Sequence, residues 1–215
     1  FYKYLIKKSI VDKNPMLKVI SPKIPRRLPD YVSKTDIAIL FDSISLGNTY
    51  CEARNYIIML LLYNTGMRKS ELIGLTDESV DYAQKRIAVV GKGNKQRIIP
   101  ITNDLLTKIR KYIQIRNQSF ECRESFLLLT DKGKPMYPKL VYNVVNRVLV
   151  SMATSTKKSP HILRHTFATH MANNGAELNT IKELLGHASL AATQVYTHNS
   201  IEKLKDVYSR SHPKA

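Results

Sequence analysis

Short motifs along the chain contain arginine, histidine and tyrosine side chains that could together bind and attack a phosphodiester. Arg68 lies in Thr-Gly-Met-Arg-Lys-Ser-Glu-Leu, and Arg164 lies in His-Ile-Leu-Arg-His. A third motif, Leu-Gly-His, ends at His187, and Tyr196 follows it. A guanidinium group can donate two parallel hydrogen bonds to phosphate oxygens, and a phenol can act as a nucleophile. These motifs predict arginines that hold a phosphodiester for attack by Tyr196, although that tyrosine taken alone also fits a buried core position.

The His-Ile-Leu-Arg-His motif is expected at the beginning of a helix. Pro160 suits the first helical position, and Ser159 can cap the helix. His161 and Arg164, three residues apart, would then share one helical face. A helix N-terminus favours anions, which indicates a phosphate clamp. The alternative is an ordinary surface arginine beside a packed histidine.

Metal binding is a further possibility for this helix, because His161 and His165 have the spacing of a zinc-binding pair. The glutamate expected between them is absent, and no cysteine pair or nearby carboxylate offers further ligands. Cys51 and Cys122 lie far apart, which fits a reducing cytoplasm. We therefore expect no metal or other cofactor, and we interpret His165 and His170 as packing or helix-face residues.

Two more segments offer polar groups. Glu71 could orient Arg68, or the two could form only a structural ion pair. Lys92 and Lys95 lie in a glycine-flanked segment where an ammonium group could protonate a leaving oxygen as a general acid. A solvated basic turn is the alternative for both lysines.

The composition indicates a polyanionic partner. Lys and Arg total 34 against 17 Asp and Glu, which gives a formal net charge of +17. Such an excess favours nucleic acid or an anionic membrane. We expect nucleic acid, because no basic amphipathic helix stands out and the longest apolar run, 56–63, is too short to span a bilayer. The N-terminus lacks the charge pattern of a signal peptide and does not begin with Met, so we expect a cytoplasmic protein and a fragment.

The elements that position these residues are predicted to be mostly α-helical with a small antiparallel β-sheet. Ser33 is a plausible N-cap, and Gly66 fits a left-handed position at a helix end. Glycines and Asn between two β-branched runs favour a hairpin. Besides the helix that begins after Ser33, helices are predicted at about 51–64, 103–117, 138–153, 160–173, 177–185, 189–197 and 200–210. Strands are predicted at 86–90, 97–101 and 126–130.

Together the motifs resemble those of the tyrosine recombinases, the integrase family, and within it most closely the Xer recombinases. The matching segments occur in the order and spacing of the family and are 65–72, 91–97, 161–170 and 185–187 with Tyr196. The resemblance implies the catalytic-domain fold of these enzymes over 33–198. Residues 1–32 would be the end of a core-binding-domain helix and a basic interdomain linker, and 199–215 a helix and tail for subunit docking.

The resemblance also implies roles in cleavage. Arg68 and Arg164 would clamp the scissile phosphate and neutralise its developing charge without a metal. Tyr196 would attack phosphorus and form a 3′-phosphotyrosyl link to DNA, which would store the bond energy for rejoining without ATP.

Three further groups would assist these residues. Lys92 would protonate the departing 5′ oxygen; we choose it over Lys95 because it aligns with the hairpin lysine of the family. His161 would assist proton transfer at the tyrosine, and His187 would hydrogen-bond the phosphate.

The implied partner is double-stranded DNA, with four subunits, identical or of two kinds, acting on two sites. A second recombinase and a DNA translocase are further implied partners. The expected function is site-specific recombination that resolves chromosome dimers. Alternatives are the integrase of a phage or mobile element, a type IB topoisomerase, and a non-catalytic DNA-binding protein.

Overall fold

A computed structural model of the chain describes residues 1–19, 31–91, 93–120, 125–150, 158–186 and 198–213. The helices within these ranges are α1 (Tyr2–Lys7), α2 (Lys34–Ser43), α3 (Tyr50–Thr65), α4 (Lys69–Ile73), α5 (Asn103–Ser119), α6 (Pro138–Val150), α7 (Pro160–Asn173), α8 (Leu178–Leu185) and α9 (His198–Ser211). Short 3-10 helices occupy Pro15–Lys18 and Asp77–Ser79. Among the helices of the described residues, none is both long and apolar enough to cross a bilayer. The predicted mostly helical class is confirmed.

Helix α3 is the centre of the fold, as its long apolar run predicts. A capping box fixes its first turn, where the Thr49 side chain accepts from the Glu52 N–H and the Glu52 carboxylate accepts from the Thr49 N–H. The second half is buried and contacts α5, α6 and α7. Gly66 ends the helix with φ at 59°, the left-handed conformation predicted for it.

The sheet has three antiparallel strands in the order β1 (Val80–Asp81), β2 (Arg86–Val90) and β3 (Gln96–Pro100). Ile87 pairs with Ile99, and both side chains are fully buried. Gly93 and Asn94 have positive φ angles, so the hairpin turns where the glycines and Asn predict it. The predicted small antiparallel sheet is confirmed, with β1 as an added edge.

The predicted strand at 126–130 is wrong. The segment forms only isolated bridges, from Phe126 to Thr76 and from Leu129 to Pro135. Side chains take the place of a neighbouring strand. The Tyr50 hydroxyl donates to the Leu129 carbonyl at 2.7 Å and accepts from its N–H at 3.1 Å. Arg116 likewise donates to the Phe126 carbonyl at 3.0 Å. Together with backbone bonds such as that from the Leu127 N–H to the Leu75 carbonyl at 2.8 Å, these side chains satisfy the backbone, so apolar residues can remain buried here without a β-ladder.

Helix α9 packs against the domain to which it belongs. The Tyr208 side chain is buried, and its hydroxyl contacts Asn64 at the end of α3. Asn174 donates to the Ser211 carbonyl at 2.6 Å, and His212 stacks on Tyr208 with ring centroids 4.9 Å apart. The predicted helix 200–210 is thus confirmed within α9, whereas the predicted helix 189–197 lies outside the described residues.

Candidate active site

Arg68 stands at the N-cap position of α4, between that helix and the left-handed turn at Gly66. Its NH1 group donates to Oε1 of Glu71 at 2.9 Å, and its backbone N–H donates to Oε2 at 2.6 Å. The predicted Arg68–Glu71 ion pair is therefore present. The Arg68 side chain is still 37% exposed, so the guanidinium group is both oriented and accessible.

Glu71 is a buried carboxylate shared by two arginines. Arg97 donates to both of its oxygens, from NH1 at 2.7 Å and from NH2 at 2.9 Å. Burial acts to raise the pKa of Glu71, but hydrogen bonds from Arg97 and from the Arg68 backbone hold this pKa below its ordinary value. The carboxylate therefore stays charged at neutral pH and keeps both guanidinium groups in place.

Arg164 projects from α7 and is buried, being 8% exposed. Its NH1 group donates to the Gly66 carbonyl at 2.6 Å, and its NH2 group donates to the Leu185 carbonyl at 2.7 Å. Burial, together with the charges of Arg68 and Arg97, lowers the pKa of Arg164 to about 10, which leaves it protonated at neutral pH. The alternative of an ordinary surface arginine is wrong for Arg164.

The C-terminal end of α8 brings the arginines together. Arg97 donates to the Leu184 carbonyl at 2.8 Å, and Arg68 donates to the Gly186 carbonyl at 3.2 Å, on either side of the Leu185 carbonyl held by Arg164. The last carbonyls of a helix lack intrahelical donors and carry the negative end of the helix dipole. They therefore stabilise a cluster of guanidinium groups that would otherwise repel one another.

The other predicted site residues are placed less completely. His161 is exposed at the second position of α7, one turn before Arg164, so these two residues do lie at the same end of one helix. Ser159 occupies the N-cap position and Pro160 the first helical position, as predicted, but the Ser159 side chain makes no capping hydrogen bond. Lys92, His187 and Tyr196 lie outside the described residues.

The residues that precede Lys92 and His187 in the chain lie next to the cluster of arginine side chains. Gly91, which precedes Lys92, lies so near Glu71 that a Cβ atom on it would come within 3.4 Å of Oε1. Gly186, which precedes His187, has φ at 65°, and a Cβ atom there would come within 3.0 Å of the Arg97 Cδ. The hairpin and the end of α8 therefore approach the same cluster.

Sequence reasoning assigned no role to Arg97. A signal was available in the strand pattern, because Arg97 and Ile99 have the same parity in β3 and both face inward. A charged residue at an inward position needs a buried partner, and a carboxylate is the strongest choice.

The histidines of α7 do not form a metal site with other described residues. Within the described ranges, no group of three or more His, Cys, Asp or Glu side chains is arranged to hold an ion. His170 is buried, and its Nδ1 lies 3.1 Å from the Tyr63 hydroxyl. The interpretation of His170 as a packing residue is confirmed.

The sequence of this helical domain, which carries the arginine cluster at the end of α8, matches one protein family. Residues 36–203 match the family described as "Phage integrase family". The chain therefore belongs to the phage integrase family, the tyrosine recombinases, and it is an enzyme of that family as its motifs predict.

Individual proteins similar to this chain are recombinases and integrases as well. The chain is 35% identical over 236 residues to the tyrosine recombinase XerC of Chlorobaculum tepidum, covering 100% of this chain and 70% of the relative. It is 38% identical over 219 residues to XerC of Anoxybacillus flavithermus, covering 100% and 73%. Among solved structures, the XerA recombinase superposes with a TM-score of 0.67 at 28% identity, covering 98% of this chain and 73% of that one. An integrase from mycobacterium phage Brujita has the same fold, with a TM-score of 0.68 at 22% identity, covering 100% and 69%.

Proposed function

We propose that the chain is the catalytic part of a Xer-type site-specific recombinase that cuts and rejoins DNA through a 3′-phosphotyrosyl intermediate. The observation that carries the proposal is the convergence of Arg68 and Arg164, from separate helices, on consecutive carbonyls at the end of α8. This end leads directly to His187, and Tyr196 follows in the sequence. The identity of 35% and 38% to XerC proteins supports the Xer type.

In the proposed reaction, the Tyr196 oxygen attacks the scissile phosphorus. A bond forms between that oxygen and phosphorus, and the bond from phosphorus to the 5′ oxygen breaks. The tyrosine gives up its proton, with assistance from His161, and the departing 5′ oxygen takes up a proton from Lys92. Rejoining reverses the same steps with a 5′ hydroxyl as the nucleophile, so the number of phosphodiester bonds is conserved.

The arginines would supply the electrostatic part of catalysis. Arg68 remains partly exposed, and Arg164 uses only NH1 and NH2 for its two backbone contacts, so both retain N–H groups for phosphate oxygens. Fixed guanidinium groups stabilise the negative charge that develops on the phosphorane without having to reorganise during the reaction. His187 would add a hydrogen bond to the same phosphate.

The proposed partner is double-stranded DNA. The net charge of +17 supports this, since phosphate contacts give affinity that does not depend on sequence. A solved relative, the XerH site-specific recombinase, is described as bound to a palindromic difH substrate in a post-cleavage complex. It matches this chain with a TM-score of 0.68 at 25% identity, covering 90% of this chain and 57% of that one.

Further parts of the proposal concern assembly and purpose. Four subunits would act on two DNA sites in the cytoplasm to resolve chromosome dimers, with a second recombinase and a DNA translocase as further partners. Residues 1–32 would connect a core-binding domain to the catalytic domain, 33–198, and the match of the family over 36–203 supports this boundary. The segment 199–215 would dock on a neighbouring subunit, for which Tyr208 would have to leave its contact with Asn64.

Integration of a mobile element is the second candidate. The fold alone favours it as strongly as a Xer function, because the Tn1549 transposon integrase matches with a TM-score of 0.67 at 23% identity. The chemistry would be the same, and only the DNA sites would differ.

The test uses purified protein and DNA nicked close to the cleavage point, so that cutting releases a short strand and traps the covalent complex. We expect an SDS-resistant protein–DNA band that is lost in Tyr196→Phe, while a gel shift shows that this variant still binds DNA. A band that persists in Tyr196→Phe would contradict the assignment of the nucleophile. Substrates with chromosomal recombination sites and with mobile-element ends would distinguish the two purposes.

A further inference from the structure

Arg97 joins the hairpin to two other elements of the site. Its NH1 and NH2 groups donate to the two oxygens of Glu71, and its Nε donates to the Leu184 carbonyl at 2.8 Å. All three of its nitrogen atoms are thus engaged, and the side chain is only 6% exposed. Arg97 therefore fixes α4 and the end of α8 relative to β3 from a position behind the accessible face of the site.

Each element that Arg97 contacts also holds Arg68. Glu71 accepts from the backbone N–H and from NH1 of Arg68. The end of α8 accepts from the Arg68 NH2 group at Gly186, two residues after the carbonyl that Arg97 holds. A displacement of Arg97 would therefore shift both acceptors that orient the Arg68 guanidinium group.

We propose that Arg97 is a positioning residue of the recombination site, which fixes Glu71 and the end of α8 and thereby sets where Arg68 meets the scissile phosphate. This inference rests on the proposed function, because it deepens the role of Arg68. The planar fork of an arginine is required, since it holds both oxygens of one carboxylate and a carbonyl at once. A lysine ammonium group is a point charge and cannot reproduce this geometry.

The first test compares Arg97→Gln and Arg97→Lys with Arg116→Gln. Arg116 is a matched control: it is buried, donates to both oxygens of Asp77 at 2.7 Å, and also donates to backbone carbonyls. We expect both Gln variants to lower the melting temperature. Of the two Gln variants, only Arg97→Gln should slow formation of the covalent complex on nicked DNA, by about 100-fold, because small misplacements of a positioned group have effects of this size. DNA affinity in the gel shift should be unchanged, and Arg97→Lys should lie between parent and Arg97→Gln.

An equal loss of cleavage in Arg116→Gln and Arg97→Gln, at temperatures where both are folded, would overturn the inference. So would cleavage by Arg97→Gln at the rate of the parent protein.

A second readout is the pH dependence of cleavage. Without Arg97, Glu71 stays buried but loses a major hydrogen-bond donor, so its pKa should rise. The charges that then face Glu71 are Arg68 and, nearby, Arg164. We expect cleavage by Arg97→Gln to decline more steeply toward acidic pH than cleavage by the parent protein or Arg116→Gln. A protonated Glu71 has lost its negative charge and carries an O–H donor on one oxygen, so it accepts more weakly from the two groups of Arg68. Identical pH profiles would overturn the inference.

A third readout is independent of activity. In a ¹⁵N–¹H spectrum of arginine Nε groups, the Arg68 resonance can be assigned by its absence in Arg68→Lys. We expect it to shift or broaden in Arg97→Gln and to stay in place in Arg116→Gln. An unchanged Arg68 resonance in Arg97→Gln overturns the inference even if the parent protein forms the covalent complex and the proposed function therefore holds. If the parent protein forms no covalent complex, the proposed function fails, and the spectrum still decides whether Arg97 positions Arg68.

Discussion

The Tyr208 hydroxyl group donates a hydrogen bond of 2.9 Å to the Asn64 carbonyl oxygen, which ties the C-terminal helix α9 to the last turn of the central helix α3. Burial raises the pKa of Tyr208, so the phenol remains protonated and keeps this donor. The site and the C-terminal helix therefore depend on the same end of α3, since Arg164 holds the nearby Gly66 carbonyl.

Replacing Tyr208 by Phe should weaken this attachment without changing side-chain volume greatly. The Asn64 carbonyl would lose its donor in a buried place, so we expect the free energy of unfolding to fall by about 1 kcal/mol. Urea titration monitored by circular dichroism measures this change. Tyr137→Phe, at a half-exposed tyrosine, is the control and should have little effect. Equal effects of the two substitutions would contradict the importance of the Tyr208 contact.

Gly66→Ala should destabilise the protein more than Gly175→Ala. Both glycines have positive φ, at 59° and 88°, so both substitutions impose backbone strain. A Cβ atom at Gly66 would also come within 2.6 Å of Phe167 and 2.8 Å of Leu185, whereas at Gly175 it would meet no atom within 4 Å. We expect Gly66→Ala to cost about 2 kcal/mol more, the usual effect of overpacking.

Thermal unfolding of the two glycine variants checks this difference. Gly66→Ala should in addition slow cleavage, since the Gly66 carbonyl orients Arg164. A melting temperature of Gly66→Ala at or above that of Gly175→Ala would count against the close packing at this turn.

Arg164→Lys should impair cleavage while leaving DNA binding nearly intact. A lysine cannot bridge the carbonyls of Gly66 and Leu185 and still direct N–H groups toward a phosphate. We expect formation of the covalent complex to slow by about 100-fold or more, as for other losses of a transition-state donor. Arg54→Lys is the control, because Arg54 is a buried arginine that pairs with Asp131 at 2.6 Å. Comparable cleavage by the two variants would refute the proposed role of Arg164.

His170 should make the stability of the protein sensitive to pH. Burial, and to a lesser extent the charge of Lys34, lowers the pKa of His170 in the folded protein, although a hydrogen bond involving Val32 opposes this. Below the pKa of about 6.5 of an exposed histidine, the unfolded chain gains a proton that the folded protein takes up only at lower pH. The free energy of unfolding should therefore decrease as the pH falls through this window.

Melting temperatures measured between neutral and mildly acidic pH test this expectation. The decrease should be smaller in His170→Gln, which has no titrating ring. The same decrease in parent and variant would assign the pH dependence to other groups.

The sequence was sufficient to predict the elements of the fold that depend on local patterns. The apolar run of α3, the left-handed Gly66 and the glycines of the hairpin each have a local physical cause, and each is confirmed. Periodicity could not show that 126–130 lacks a partner strand. Backbone carbonyls of this segment accept hydrogen bonds from Tyr50 and Arg116, and those side chains belong to other elements of the fold.

The residue types of the candidate site could be predicted, but the contacts that hold its arginines in place could not. Motif spacing identified Arg68 and Arg164, and the Arg68–Glu71 ion pair followed from helical spacing. The bond from Arg97 to Glu71 joins residues in different elements, so no local rule gives it. The catalytic roles of all six candidates remain predictions, namely those of Arg68, Lys92, His161, Arg164, His187 and Tyr196.

The carbonyl groups that hold the arginines have a consequence for redesign of this enzyme. Arg68, Arg97 and Arg164 are held at the end of α8 by main-chain atoms, which every amino acid supplies. Exchanging α8 side chains for others of similar volume should therefore leave the geometry of the cluster intact. Lengthening or shortening the chain by one residue at this helix end would instead shift all of the acceptors together. A homologous loop grafted at this helix end must therefore have the same length as the original loop, and its sequence matters less.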